Sequence, residues 1–358
     1  MIRYCFFALL LATACFLACS DDIITPENEV RDFSRLYISF EEYGTSSVGI
    51  PDINIRIIGR ADSVDFDFDE TGYVSQARGG GVIYFNPFLQ AVMHASYNTT
   101  EQRDSALYVV NINNQAILNN SASMSSPFFK KIRGLTYHRA SDALFVVNSD
   151  GNRSGIFVVN RPTSVDATRK PFKQFFTGDL PMWGAAYSAN RLFVSKQGEN
   201  GGIYVFEDIA TRGVNTADST ANISPARTLA IEDARNLHGI FYDTLHNVLA
   251  VTDYTDGQTV GTGRILIFDS FSTMISNQQI TPTRIITGPA TMLTQPVDVA
   301  LDTRENGQYL YVADRSRRIL RFRLSDNGNV EPEQNLPTPG TPVGLALDTR
   351  DDSTLPRF

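Results

Sequence analysis

Gly134-Leu-Thr-Tyr-His-Arg-Ala-Ser-Asp-Ala-Leu-Phe-Val-Val-Asn-Ser-Asp-Gly-Asn-Arg-Ser-Gly-Ile-Phe-Val-Val-Asn160 reads as three short strands in succession. Gly134 opens the first, which runs to Tyr137, and a polar turn from His138 to Asp142 ends it. Leu144 to Asn148 is an apolar, β-branched run. Ser149 to Ser154 is a turn rich in Gly and Asn, and Ile156 to Val159 forms the third strand.

The same pattern recurs along the chain. Gly81-Val-Ile-Tyr, Gly134-Leu-Thr-Tyr, Gly184-Ala-Ala-Tyr, Gly239-Ile-Phe-Tyr, Asp298-Val-Ala-Leu and Gly344-Leu-Ala-Leu align as opening strands, 46 to 59 residues apart. Second strands follow all but the last: Leu89 to His94, Leu144 to Asn148, Leu192 to Lys196, Val248 to Asp253 and Leu310 to Asp314. Third strands come next, and a fourth is expected at Phe128–Ile132, Phe172–Thr177, Ala226–Ile231 and Thr283–Thr287. Amphipathic helical periodicity is absent. A four-stranded antiparallel unit repeating every roughly 50 residues predicts an all-β fold, a β-propeller. Such a unit cannot bury both faces of its sheet alone, whereas a closed ring of them can.

The two chain ends complement each other. Gly344 to Asp348 is an opening strand with no successors, and Leu36–Phe40, Ile53–Ile58 and Val64–Phe68 are later strands with no opener. Six blades, the ring closed by the C-terminal strand joining the N-terminal blade, is the economical solution. Five blades with flanking decoration is the alternative.

Residues 1–18 form a leader, with Arg3 ahead of an apolar stretch, Phe6 to Leu17, too short for the roughly 20 residues that span a bilayer. The sequence Phe16-Leu-Ala-Cys-Ser-Asp-Asp22 resembles the lipobox of bacterial lipoproteins, although Phe16 occupies a position where that family usually has Leu. The resemblance implies lipidation of Cys19; the polar stretch with Pro26 that follows reads as a tether over residues 19–32, and the repeats as one propeller domain over 33–358. The resemblance also implies residence in the bacterial envelope, at the outer membrane, and Ser20-Asp21-Asp22 resembles the acidic tag of surface-exposed lipoproteins. Cys15 is a second, poorer lipidation candidate, and a plain secretory leader is the other reading. All three cysteines lie in this segment, so the mature domain is expected to contain no disulfide and no thiol nucleophile. The chain has 31 basic and 39 acidic residues, and losing Arg3 leaves 30 basic ones. That net negative charge argues against nucleic acid and anionic membrane surfaces as partners and leaves the lipid as the membrane attachment.

Pro296-Val-Asp-Val-Ala-Leu-Asp302, Tyr309-Leu-Tyr-Val-Ala-Asp314 and Arg318-Ile-Leu-Arg-Phe322 resemble an NHL-type propeller repeat, and Pro342 to Asp348 echoes its first part. NHL-like propellers include protein- and ligand-binding modules. The similar gluconolactonase-like propellers include metal-dependent lactonases, so the fold alone does not decide function.

In a propeller the residues ahead of each opening strand and at the end of each second strand converge on one mouth of the channel. The first set includes Arg133, Trp183 and His238; the second includes His94, Asn148, Lys196, Asp253 and Asp314. Trp183 is the single Trp, and His94 and His238 are two of four His. Arg133, Trp183, His238, His94 and Lys196 are the candidate ligand residues, suited to an anionic or sugar-like group by stacking and charge-assisted hydrogen bonds. The expected partner is a protein or glycan of the envelope, bound by a monomer without a cofactor. The alternative is a metal-dependent, gluconolactonase-like hydrolase. There Asn148, Asp253 and Asp314 would supply oxygen ligands to Ca²⁺ or another divalent cation, although no Glu stands at the matching opener positions. His138 and His246 are expected to be solvated on the opposite face.

Overall fold

A computed structural model of the chain describes residues 34–44, 52–98, 104–112, 117–164 and 166–349. The leader, Cys19 and the tether fall outside the described residues. Six β-sheets stand around a central axis. Their innermost strands are Pro342–Asp348 (blade 1), Gly80–Asn86 (blade 2), Ile132–His138 (blade 3), Met182–Ser188 (blade 4), Leu237–Asp243 (blade 5) and Pro296–Leu301 (blade 6). Each packs on the next, and the strand of blade 6 packs on that of blade 1, so the ring is closed.

Blade 1 joins the chain ends. Arg35–Phe40 pairs antiparallel with Ile55–Ile58 on one side and with Pro342–Asp348 on the other, Leu36 opposite Leu347. Val64–Phe68 does not form the expected fourth strand, and this sheet has three. Both Ser34 and Thr349 therefore leave the ring at the end opposite Phe40 and Pro342.

The opening stretch shows why its strands lack an alternating polar face. In Ala143–Asn148 every residue is buried. Leu144 and Val146 pack against Met93 and Leu107 of blade 2, while Ala143, Phe145 and Val147 pack against Leu192 and Val194 of blade 4. Successive side chains point to opposite faces, and each face is covered by a neighbouring blade. The innermost strands approach so closely that a Cβ on Gly134 would lie 2.7 Å from the Trp183 carbonyl oxygen, and one on Gly184 2.8 Å from that of His238. Backbone proximity explains the repeated glycine.

The outer edges differ from expectation. The fourth strand of blade 2 is Leu118–Ser125, a polar run, not Phe128–Ile132, which spans a loop and the start of blade 3. Blade 6 has a fourth strand at Gln334–Pro337 that carries little apolar signal. Short segments borrowed from the following blade then pair parallel with three of these edges: 166–168 on blade 2, Thr220–Asn222 on blade 3 and Gln279–Ile280 on blade 4. On blade 5 the Asp326-Asn-Gly-Asn329 turn takes this part, with the Gly328 N–H on the Ile285 carbonyl at 2.7 Å. These additions occupy backbone groups that an exposed edge would offer to another chain.

Candidate functional site

One backbone hydrogen bond is repeated in all six blades and sets the mouth. The first residue beyond each second strand donates its N–H to the carbonyl just ahead of the innermost strand: Glu41 to Thr341, Tyr97 to Gly79, Ser149 to Lys131, Gln197 to Pro181, Tyr254 to Asn236 and Arg315 to Gln295. Five of these six residues, all but Glu41, line a cavity of about 800 Å³ at the mouth, joined by Arg133, Trp183 and His238 from the innermost strands.

The last residue of the second strand has a different role. Asn148 Oδ1 accepts the N–H groups of Lys130 and Lys131 at 2.8 and 3.2 Å. Asp253 Oδ1 accepts those of Arg235 and Asn236 at 3.1 and 2.9 Å, and its Oδ2 pairs with Arg264 Nε at 2.8 Å and Arg235 Nε at 3.3 Å. Asp314 accepts the N–H groups of Thr294 and Gln295 and the Ser316 hydroxyl. All three are completely buried. Each clamps the loop entering its own blade, so their oxygens are occupied by separate loops. They do not fit a divalent cation, and no cluster of three or more His, Cys, Asp or Glu suited to a metal occurs among the described residues.

The sequence-derived ligand residues divide. Arg133, Trp183 and His238 come together at the mouth. His94 does not: the second strand of blade 2 is Ala91–Ser96, two residues later than expected, which makes His94 a mid-strand residue. Its Nε2 lies 2.8 Å from Ser39 Oγ and its Nδ1 2.7 Å from Ser75 Oγ, inside the junction of blades 1 and 2. Lys196 lies outside the cavity lining, its Nζ on the Asn200 carbonyl at 2.8 Å. On the opposite face, His138 is half-buried against Tyr187, ring centroids 5.1 Å apart, rather than simply solvated. His246 is exposed there and pairs with Asp243 Oδ2 at 2.6 Å.

At the mouth the planar groups form a continuous stack. Arg315 lies over Tyr97 with its guanidinium carbon 5.1 Å from the ring centroid, and Arg133 over the same ring at 4.4 Å. Arg133 also lies over Trp183 at 4.9 Å. The Trp183 and His238 rings are parallel within 3° at 3.8 Å, and Tyr254 stacks on His238 at 4.4 Å. Trp183 is thus covered by Arg133 from blade 3 and by His238 from blade 5. It is no open plate for a sugar ring, contrary to the stacking role expected of it.

Charge at this stack is unevenly compensated. Arg315 pairs with Glu41 Oε2 at 2.5 Å, but its Nη1 is buried without a partner. Arg133, 8 % exposed, bonds through Nη1 to the carbonyls of Tyr97 (2.7 Å) and Ile132 (3.2 Å) and has no carboxylate partner among the described residues. Its burial lowers the guanidinium pKa from the usual value. His238 is 3 % exposed, with neither ring nitrogen bonded. Desolvation first, then the Arg133 and Arg315 charges, lower its pKa to about 3, so it is neutral at physiological pH.

His94 is lowered to about 3 as well, by burial. Below the unfolded value of about 6.5, the unfolded chain takes up a proton that the folded chain refuses. The stability each His confers is complete above that value and is lost as pH falls toward 3. Replacing His94 with Gln is expected to remove one proton from this dependence. Between pH 7 and pH 5 the parent should lose about 2 kcal/mol more than the variant, measured from urea denaturation at the two pH values.

Sequence reasoning missed Tyr97, Tyr254 and Arg315. For Tyr254 and Arg315 the signal was present, because each stands one place beyond the strand end read from the sequence, whereas Tyr97 was lost with the two-residue misplacement of its strand. Moving by one residue exchanges the side facing the blade for the side facing the channel.

No family model and no curated protein matches this chain. Solved structures share the fold. The Pseudomonas aeruginosa periplasmic gluconolactonase PpgL is 11 % identical over 88 % of this chain and 99 % of its own, with a TM-score of 0.57. A 6-phosphogluconolactonase candidate from Bacteroides uniformis ATCC 8492 is 12 % identical over 89 % and 100 %, TM-score 0.57. Kuenenia stuttgartiensis hydrazine synthase is 14 % identical over 82 % of each chain, TM-score 0.51. At these identities the likeness establishes architecture alone.

Proposed function

We propose that the protein is an envelope lipoprotein, anchored through Cys19, whose NHL-like propeller binds an anionic glycan or acidic protein group at its mouth without catalysis. The observation that carries this reading is Arg133, a largely buried cation with no carboxylate partner among the described residues. Its Nε and Nη2 have no hydrogen-bond partner among the described residues, and Arg133 lines the cavity. A negatively charged group there would receive charge-assisted hydrogen bonds in a setting with little water to weaken them. The cavity rim mixes Lys130 and Lys131 with Asp104, Asp150 and Asp256. That balance favours a ligand presenting a single acidic group among hydroxyls over a polyanion.

Titration with acidic oligosaccharides and their neutral, carboxyl-reduced counterparts tests the proposal. The acidic series should bind, and Arg133→Gln should weaken binding at least tenfold, about 1.4 kcal/mol or more, with little change in melting temperature. Equal binding of the neutral series would refute it. The competing lactone-hydrolase reading draws on the likeness of fold to gluconolactonases but has no oxygen set for its cation at Asn148, Asp253 and Asp314. Turnover of glucono-δ-lactone that depends on added Ca²⁺ would favour it over the binding role.

A further inference from the structure

Beneath the mouth lies a second cavity, of about 240 Å³, enclosed by the innermost strands. Tyr97, Arg133 and Trp183 line both cavities and form the partition between them. In four blades the residue at the closest inter-strand approach is Gly (Gly134, Gly184, Gly239 and Gly344), and in blade 2 it is Val82. In blade 6 it is Asp298, the one carboxylate lining this inner chamber. Its Oδ2 accepts the Leu345 N–H of blade 1 at 2.8 Å and its Oδ1 the Val299 N–H at 3.0 Å. Among the described residues lining the chamber, Arg133 at the partition is the one basic side chain, and it is held by the Tyr97 and Ile132 carbonyls.

We infer that the inner chamber is a separate binding site for a small organic ammonium ion, anchored by Asp298. The walls decide the class of cation. A hard metal ion takes six or more oxygens, whereas among the described lining residues this chamber offers one carboxylate, its Thr136 hydroxyl being engaged with Tyr84, among aliphatic and aromatic side chains such as Leu135, Ile240 and Phe241. The Tyr137 and Tyr242 hydroxyls already donate to Asp142 and Asn247. Aliphatic and aromatic side chains around a single anion suit an alkylammonium, whose substituents they desolvate while the carboxylate meets the charge. Half-buried Tyr84, Tyr137, Tyr187 and Tyr242 stand at the chamber end away from the mouth. Burial holds the Asp298 pKa at about 7, opposed only by its two backbone hydrogen bonds; an arriving cation favours the ionised form and expels the proton.

Tetramethylammonium and ethylammonium chloride, titrated calorimetrically into the full-length protein at pH 7, test this site against sodium chloride at equal ionic strength. One saturable site is expected for an organic ion, with proton release detected as a dependence on buffer ionisation heat. Asp298→Asn should weaken it at least tenfold. In the unmodified protein the Leu345 amide resonance should shift on binding, which tests the site even if the variant fails to fold. Absence of saturable binding, an unmoved Leu345 amide, or equal competition by sodium would overturn the inference. Mouth ligands at Arg133 are independent of each of these readouts.

Discussion

A chain ending at Thr341 is expected to fail to fold to a cooperative monomer, although it lacks only the final 17 of 358 residues. Pro342–Asp348 is at once the innermost strand of blade 1 and the contact of that blade with blades 2 and 6. Its loss strips Arg35–Phe40 of one of its two pairing strands, uncovers Leu36 and Ile38, and leaves Asp298 without the Leu345 N–H. It also removes the buried side chains of Val343, Leu345 and Ala346. Burial of side chains of this size contributes about 1.5–3 kcal/mol each for the larger two. Together with an opened ring, this approaches the whole stability of a domain, about 5–15 kcal/mol. Denaturant unfolding followed by fluorescence and circular dichroism should show no shared transition for the truncated chain. A chain ending at Thr349 retains every strand of the ring and should unfold like the parent. A cooperative transition in the shorter chain, weakened by only 1–2 kcal/mol, would mean that the blades close without this strand.

The second large effect is expected at Asp253. Replacement with Ala leaves the Arg235 and Asn236 N–H groups without their acceptor and the Arg264 guanidinium, 18 % exposed, without its carboxylate. Breaking a buried ion pair from one side costs about 3–5 kcal/mol, and the unfolding free energy should fall by about that amount. Asp253→Asn, which keeps one acceptor oxygen for the loop, should lose less. Under the clamp role the deficit is the same with and without Ca²⁺. A parent protein stabilised by Ca²⁺, with the effect abolished in Asp253→Ala, would restore this residue as a metal ligand.

The ring was legible because its signal is written several times. Val248–Asp253 coincides with the strand inferred from its β-branched run, and most other second and third strands fall within one or two residues. What failed was local. Leu118–Ser125 carries Asn119, Asn120 and Ser121 on an outer edge exposed to solvent, so it offers little apolar pattern. At the site, the mouth is decided by the residue after the strand. Selecting the strand's last residue found Asn148, Asp253 and Asp314, which are clamps, and passed over Tyr254 and Arg315, while Tyr97 was missed because its strand ends two residues later than the sequence suggests. Arg133, Trp183 and His238 were found because their positions were measured from the glycine, whose role is fixed by close backbone approach. Their mutual stacking could not be read, since it depends on which face of each ring a neighbouring blade leaves open.

The pairing of Arg35–Phe40 with Pro342–Asp348 also fixes how the molecule would stand on a membrane. Both described chain ends emerge opposite the mouth. A lipid on Cys19, as proposed, would therefore hold the disc by its underside. The Arg133 vestibule would look outward, away from the bilayer, while the tyrosine-lined end near Asp298 would look back toward it. The two cavities would then meet different surroundings, one sampling the medium beyond the surface and the other the narrow layer beside the lipid headgroups.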